Sequence, residues 1–259
     1  MPNYPSQIRY LLERVALSLQ TLAAVLVAGC ASVERIRAPA ARVDAPAIAV
    51  GDRWVYDEIN AYNGRRVGQV AHEVKRIEPD GRLILSVKAQ GSLISALAHG
   101  GDEVDRGPWI VERDAVFDMS NAYQPGLPLL AFPLSEGEWR SDTASSAEEP
   151  GKPRGPWQVH TRVGPWERVR VPAGEFVALR VERRIWFLHP DIFRDRSHRV
   201  DTLWYAPEVG RWVKREWTGF HTSRYSPLRG VTREDWVRWE LREFRVAETA
   251  QRAHAAGNR

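Results

Sequence analysis
Apolar and polar residues alternate with a period of two along most of this chain, the pattern a half-buried strand requires. From Glu175 to Trp186, Val177, Leu179, Val181 and Ile185 fall on one face, and Arg180, Glu182 and Arg184 on the other. Leu83, Leu85 and Val87 share a face of the run 82–88 in the same way. Trp54-Val55-Tyr56 opens a further run directly after the turn pair Gly51-Asp52, and runs at 67–77, 157–163, 166–171, 200–205 and 212–217 have the same character. Between 67–77 and 82–88 stands Glu78-Pro79-Asp80-Gly81, in which proline sets φ and glycine supplies the left-handed position of a turn. Residues 235–246 alternate Val237, Trp239 and Leu241 against Arg238, Glu240 and Arg242, which predicts a strand. A helix is the alternative there, because Thr232 and Asp235 resemble an N-cap pair and Val237, Leu241 and Phe244 also form a helical stripe. Loops are expected at 99–108, 143–156 and 219–232, and a short helix at 92–98. The whole predicts an all-β fold: a curved antiparallel sheet, open barrel or sandwich of about nine or ten strands, with at most short helices.

Glycine repeatedly precedes tryptophan by two or three positions: Gly51 and Trp54, Gly137 and Trp139, Gly155 and Trp157, Gly164 and Trp166, Gly210 and Trp212. Each pair reads as a turn feeding a strand whose first large residue plugs the core. With 11 tryptophans in 259 residues, packing is the first explanation for any one of them. Trp204, Tyr205, Trp212 and Trp217 lie on adjacent predicted strands and are the candidate ligand-facing aromatics.

The N-terminal pattern is different. After Arg9, Glu13 and Arg14, the stretch from Val15 to Gly29 carries no charge. It has the length of a signal-peptide core and falls short of the roughly 18–20 apolar residues of a membrane span. It ends in Leu26-Val27-Ala28-Gly29-Cys30, which resembles the bacterial lipobox, a signal-peptidase motif whose small residues admit the peptidase and whose thiol accepts an acyl chain. The resemblance implies cleavage before Cys30 and acylation of its thiol and new amino group. Cys30 is the single cysteine of the chain, so no intramolecular disulfide can form. Ala31, where the enterobacterial sorting rule would read an aspartate as inner-membrane retention, points to the outer membrane. The expected organisation is a signal peptide over 1–29, acylated Cys30 and a tether over 30–49, one β-rich domain over 50–246, and a tail over 247–259.

Composition adds little chemistry. The net charge of +4 is the small difference between 37 basic and 33 acidic residues, interleaved along the chain rather than gathered into a basic face. No nucleic-acid partner is therefore expected. His189, Asp191, Asp195, His198 and Asp201 are metal-ligand types, yet Arg194, Arg196 and Arg199 are interspersed and no zinc spacing is present, so a polar loop is the reading and no metal is expected. Glu148 and Glu149 sit in a Pro/Gly/Ser-rich stretch and read as solvated. No G-x-S-x-G, H-E-x-x-H, Walker or G-x-G-x-x-G motif occurs, and an enzyme is not expected. No cofactor is expected either.

Val171-Pro-Ala-Gly-Glu-Phe-Val-Ala-Leu-Arg-Val-Glu182 resembles a segment of uncharacterised β-rich envelope proteins of proteobacteria, as do Trp204 to Glu216 and Gly51 to Tyr56. These are turn and strand motifs, so the resemblance implies fold and compartment only. Curved sheets of this kind are also similar in architecture to the LolA/LolB lipoprotein carriers. The expected function is an outer-membrane lipoprotein, facing the periplasm and anchored to membrane lipid through Cys30, that binds or scaffolds an envelope lipid, glycan or protein. A lipid or lipoprotein carrier with an apolar cavity is the alternative, and a cell-wall hydrolase the second.

Overall fold
The computed structural model describes residues 34–91, 102–115, 121–147, 153–189, 193–223 and 230–247. Cys30, its motif Leu26 to Gly29, the helix expected at 92–98, Glu148, Glu149, Asp191 and the tail 248–259 lie outside the described residues. The chain divides into two units, Met1–Glu34 and Arg35–Arg259, and the second contains the β domain.

Its strands are β1 (Glu34–Arg35), β2 (Arg53–Asn60), β3 (Arg65–Ile77), β4 (Arg82–Gln90), β5 (Asp102–Arg106), β6 (Ile110–Asp114) and β7 (Asn121–Pro128). They continue with β8 (Trp139–Ala147), β9 (Pro153–Val171), β10 (Gly174–Phe187), β11 (Arg194–Ala206), β12 (Arg211–Ser223) and β13 (Val231–Arg245). From β2 to β13 every strand pairs antiparallel with its neighbours in sequence, and β13 returns to β2, from Val237 opposite Asn60 to Arg245 opposite Arg53. The result is a closed up-and-down barrel of twelve strands, with the short β1 beside β9 as a thirteenth. The expectation of nine or ten strands in an open barrel or sandwich is corrected in both count and closure. Residues 235–246 are strand to Arg245, and the stretches expected as loops contain β5, the end of β8, the start of β9, the end of β12 and the start of β13.

Local chemistry explains most turns. Gly81 adopts φ 86° and its N–H bonds Glu78 O at 2.9 Å, closing the β3–β4 hairpin where proline and glycine call for it. Pro172-Ala173 joins β9 to β10 as a two-residue loop, and the Ala173 N–H bonds Leu241 O on β13 at 2.9 Å. That bond reaches across β11 and β12 and pinches this end of the barrel. The same end is crossed by the chain before β2. Val43 pairs with Leu134 through two backbone hydrogen bonds of 2.8 and 2.9 Å, and Ile36 N bonds Trp166 O. From Arg35 onward the stretch expected as a tether is thus packed on the barrel. Its apolar side chains are too few and too irregular to show a period, yet Val43 and Pro46 are buried.

Outward positions of β9, β10 and β13 carry charge. Arg168 and Arg170 grip Glu175, Arg180 and Arg184 flank Glu182, and Arg238 pairs with Glu240. Strands facing lipid present an apolar band instead. Among the described residues no helix is long and apolar enough to cross a membrane.

Candidate functional site
A closed sheet of about eight strands has an interior that ordinary side chains fill, whereas one of roughly sixteen encloses a channel. Twelve strands lie between these, and here the largest side chains occupy the space. Trp54 and Tyr56 from β2, Trp212 and Trp217 from β12, Trp239 from β13, and Trp109 from the β5–β6 turn all point inward and are fully or almost fully buried. Trp54 and Trp212 meet Trp109 edge-on at centroid distances of 5.5 and 5.8 Å, and Tyr56 stacks on Trp239 at 5.8 Å. Such offset and edge contacts add about 0.5–1.5 kcal/mol each beyond the area they bury. Trp109 is held at φ 61°, a left-handed conformation that costs a bulky residue about 1–3 kcal/mol, and its indole N–H donates to Gly210 O at 3.0 Å.

Three arginines complete the interior. Arg211 lies over the rings of Trp212, Trp109 and Trp54 at 4.1, 4.4 and 5.1 Å, a cationic group in a tryptophan cage. One of its terminal nitrogens donates to His72 Nδ1 at 3.1 Å and stands 3.6 Å from Glu103. Arg215 forms a bidentate pair with Asp201 at 3.0 and 2.9 Å, and Arg183 reaches the same carboxylate at 2.7 Å. Asp201 is fully buried. Burial alone would raise its pKa, but Arg215 and Arg183 together hold it below the usual carboxylate range, so it stays ionised.

The opposite wall is acidic. Glu103 and Asp105 on β5 point inward and are buried. Burial pushes Glu103 up to about 7 despite the pull of Arg211. Burial, with Glu103 as neighbour, pushes Asp105 well above its ordinary value. Burial and then the nearby Arg211 and Arg215 keep His72 well below its ordinary value, so it is neutral at pH 7. Since His72 Nδ1 accepts from Arg211, the proton of the neutral ring sits on Nε2, which has no hydrogen-bond partner. Both Asp105 oxygens and two nitrogens of Arg211 are likewise without a hydrogen bond. The cluster therefore holds charge under tension within the barrel. Its chemistry is electrostatic: Asp201 is held ionised between Arg215 and Arg183, while Glu103, Asp105 and His72 are shifted toward their neutral forms.

The predicted aromatics separate into two sets. Tyr205, Trp212 and Trp217 belong to the packed interior. Trp204, one residue before Tyr205, is on the opposite face of β11, where its N–H donates to Glu167 at 2.6 Å and Lys214 lies 4.5 Å over its ring. All four are buried. Of the glycine–tryptophan pairs, four place the tryptophan in the core, while Trp139 is 65% exposed. Among the described residues the metal-ligand types do not converge: Asp201 faces in, His198 stacks on Phe220 at 4.9 Å on the outer face, and His189 bonds Arg194. Sequence reasoning missed Arg183, Arg211, Arg215, His72, Glu103 and Asp105. One signal was present. Arg183 stands between Val181 and Ile185 on an otherwise apolar face, and Asp201 is its register partner.

A second feature lies in the wall. β7 pairs with β8 only through Ala122, Tyr123 and Gln124, opposite Ala147, Ser146 and Ser145. Beyond that the strands part, and between them is a hollow of about 570 Å³ whose floor is Ala131 and Phe132. Pro125 and Pro128 explain the split, since proline has no N–H to give a ladder. A bulge adds to it: the four residues Tyr123–Gly126 of β7 lie opposite the single Glu112 of β6.

No protein-family model matches the chain, and no curated protein matches it. Two solved structures are similar in outline. One is a protein assigned as exported, with a YmcC-like fold, from Bacteroides fragilis (14% identity, TM-score 0.40, covering 78% of this chain and 99% of that one). The other is a protein assigned as a lipoprotein from Parabacteroides distasonis (14% identity, TM-score 0.41, covering 78% of this chain and 100% of that one).

Proposed function
We propose that the protein is a lipid-anchored component of the bacterial cell envelope, held in the outer membrane through Cys30 and facing the periplasm. Its barrel binds or scaffolds another envelope component at its surface and performs no catalysis. The observation that carries this reading is the filled interior. Large aromatic rings and three arginines occupy the space that a carrier would keep open for a lipid, so the wall and its outer residues are the surfaces on which a partner acts. The charged outer faces of β9, β10 and β13 favour a barrel lying outside the bilayer. The motif Leu26 to Cys30 favours export and acylation, and two or more acyl chains on one residue give firm anchoring where one alone is marginal.

Metabolic labelling with a palmitate analogue tests the anchor: the full chain is expected to incorporate label, and Cys30→Ala to lose it. Label retained by Cys30→Ala, or absent from the parent, overturns the anchor. Native mass spectrometry of the full chain, extracted from membranes in detergent, tests the mode of action. The acylated polypeptide alone is expected, and a stoichiometric second lipid would instead favour the carrier.

A further inference from the structure
We propose that the split between β7 and β8 accepts an extended peptide segment of a partner protein, one that carries a lysine or arginine directed at Asp142. The inference rests on the surface-binding reading above and names the surface. Three observations support it. First, the wall is interrupted on one side only: β8 keeps its pairing with β9 from Trp139 opposite Arg162 to Thr143 opposite Gln158, but past Ser145 it has no β7 partner. That free edge, from Ala144 back to Trp139, runs for about 20 Å at roughly 3.3 Å per residue, enough for a short strand to add to it. Second, β7 is poor in donors along the gap, because Pro125 and Pro128 have no N–H. Third, the parting of β7 leaves an acidic group in the hollow. Asp142 lines it, and its Oδ2 is buried without a hydrogen-bond partner.

Those features select the occupant. An edge short of a ladder partner is satisfied by backbone amides, which any extended peptide supplies. The orphan carboxylate oxygen discriminates, since an ammonium or guanidinium satisfies it and a carboxylate repels it. Arg140 does not fill this role, because it is turned to Ala131 O at 2.9 Å and to Glu138 at 3.3 Å. Trp139, exposed at the mouth with Arg162 5.2 Å over its ring, offers outward-facing side chains of the incoming strand an apolar surface.

The test uses the full chain in detergent and two fluorescein-labelled peptides, Thr-Val-Lys-Val-Thr and Thr-Val-Glu-Val-Thr, read by anisotropy. The lysine peptide is expected to bind saturably and the glutamate peptide at least tenfold more weakly. Asp142→Asn is expected to remove that preference, a change of about tenfold for one charge-assisted hydrogen bond. The double variant Pro125→Thr, Pro128→Thr restores donors to β7 and is expected to abolish binding of the lysine peptide while the circular dichroism of the barrel is kept. Equal binding of the two peptides, no binding of either, or binding that survives the double variant overturns the proposal. Self-association of the parent that the double variant abolishes also overturns it, by making a second copy the occupant. Neither result depends on acylation, so a failed palmitate experiment and a failed peptide experiment are distinguishable.

Discussion

Glu103 shows what a single residue contributes to the interior. Its folded pKa of about 7 lies above the ordinary 4.5, so over that interval the folded protein holds a proton that the unfolded chain has released. Stability from this group is fully present below about 4.5 and is lost as pH rises through about 7. Asp105 acts in the same direction. His72 acts in the opposite one: its pKa is lowered, so its contribution is present above the unfolded value of 6.5 and is lost as pH falls. The comparison that isolates Glu103 is parent against Glu103→Gln in urea at a series of pH values. The variant is expected to lose less stability between pH 4.5 and 7, by an amount on the order of 1–3 kcal/mol. Parallel pH profiles for the two proteins would show that Glu103 does not carry the proton.

At the scale of elements, strands with an apolar inward face were readable and strands with a polar one were not. β10 and β13 alternate as their sequences require. β5 is Asp-Glu-Val-Asp-Arg, whose inward residues are Glu103 and Asp105 and whose valine faces out, so the hydrophobic pattern is inverted and reads as loop. β8 fails in another way, since its inward Ala144 and Ser146 are small. Pairing of β12 with β13 depends on a different local feature. At Gly219 a bulge breaks the register, and a Cβ there would meet the Asp235 carboxylate. That carboxylate accepts the Trp217 indole N–H at 2.9 Å and lies 3.5 Å from Arg199. Gly219→Ala is therefore expected to displace Asp235 and destabilise the protein by about 1–3 kcal/mol, seen as a lower urea midpoint with unchanged slope. A midpoint within error of the parent would mean that Asp235 moves without cost.

The whole molecule is held by closures that join distant parts of the chain: β13 to β2, the β9–β10 loop to Leu241, and the segment before β2 to Leu134. Val43 is buried and also forms the backbone bridge of that segment to Leu134. Val43→Asp places a charge where 5% of the side chain is exposed, and it is expected to cost about 3 kcal/mol or more. Limited proteolysis should then cut between Arg35 and Asp52 before the barrel itself. A parent-like digestion pattern would show that the segment is held without Val43.

What the sequence determined by itself is what short-range physics encodes. Period-two alternation set the strand character, Pro-Asp-Gly and Pro-Ala-Gly set two hairpins, and the uncharged run ending in Leu26 to Cys30 set the expectation of a lipid anchor. The tertiary structure alone decided closure and content. Whether strands end as an open sheet or a ring depends on β13 meeting β2 across nearly the whole domain, a pairing with no local signature. Closure at twelve strands then created an interior wider than aliphatic side chains fill by themselves. That width is why tryptophans caging arginines fill it, and why inward acids, invisible to any hydrophobic pattern, sit where a core was expected.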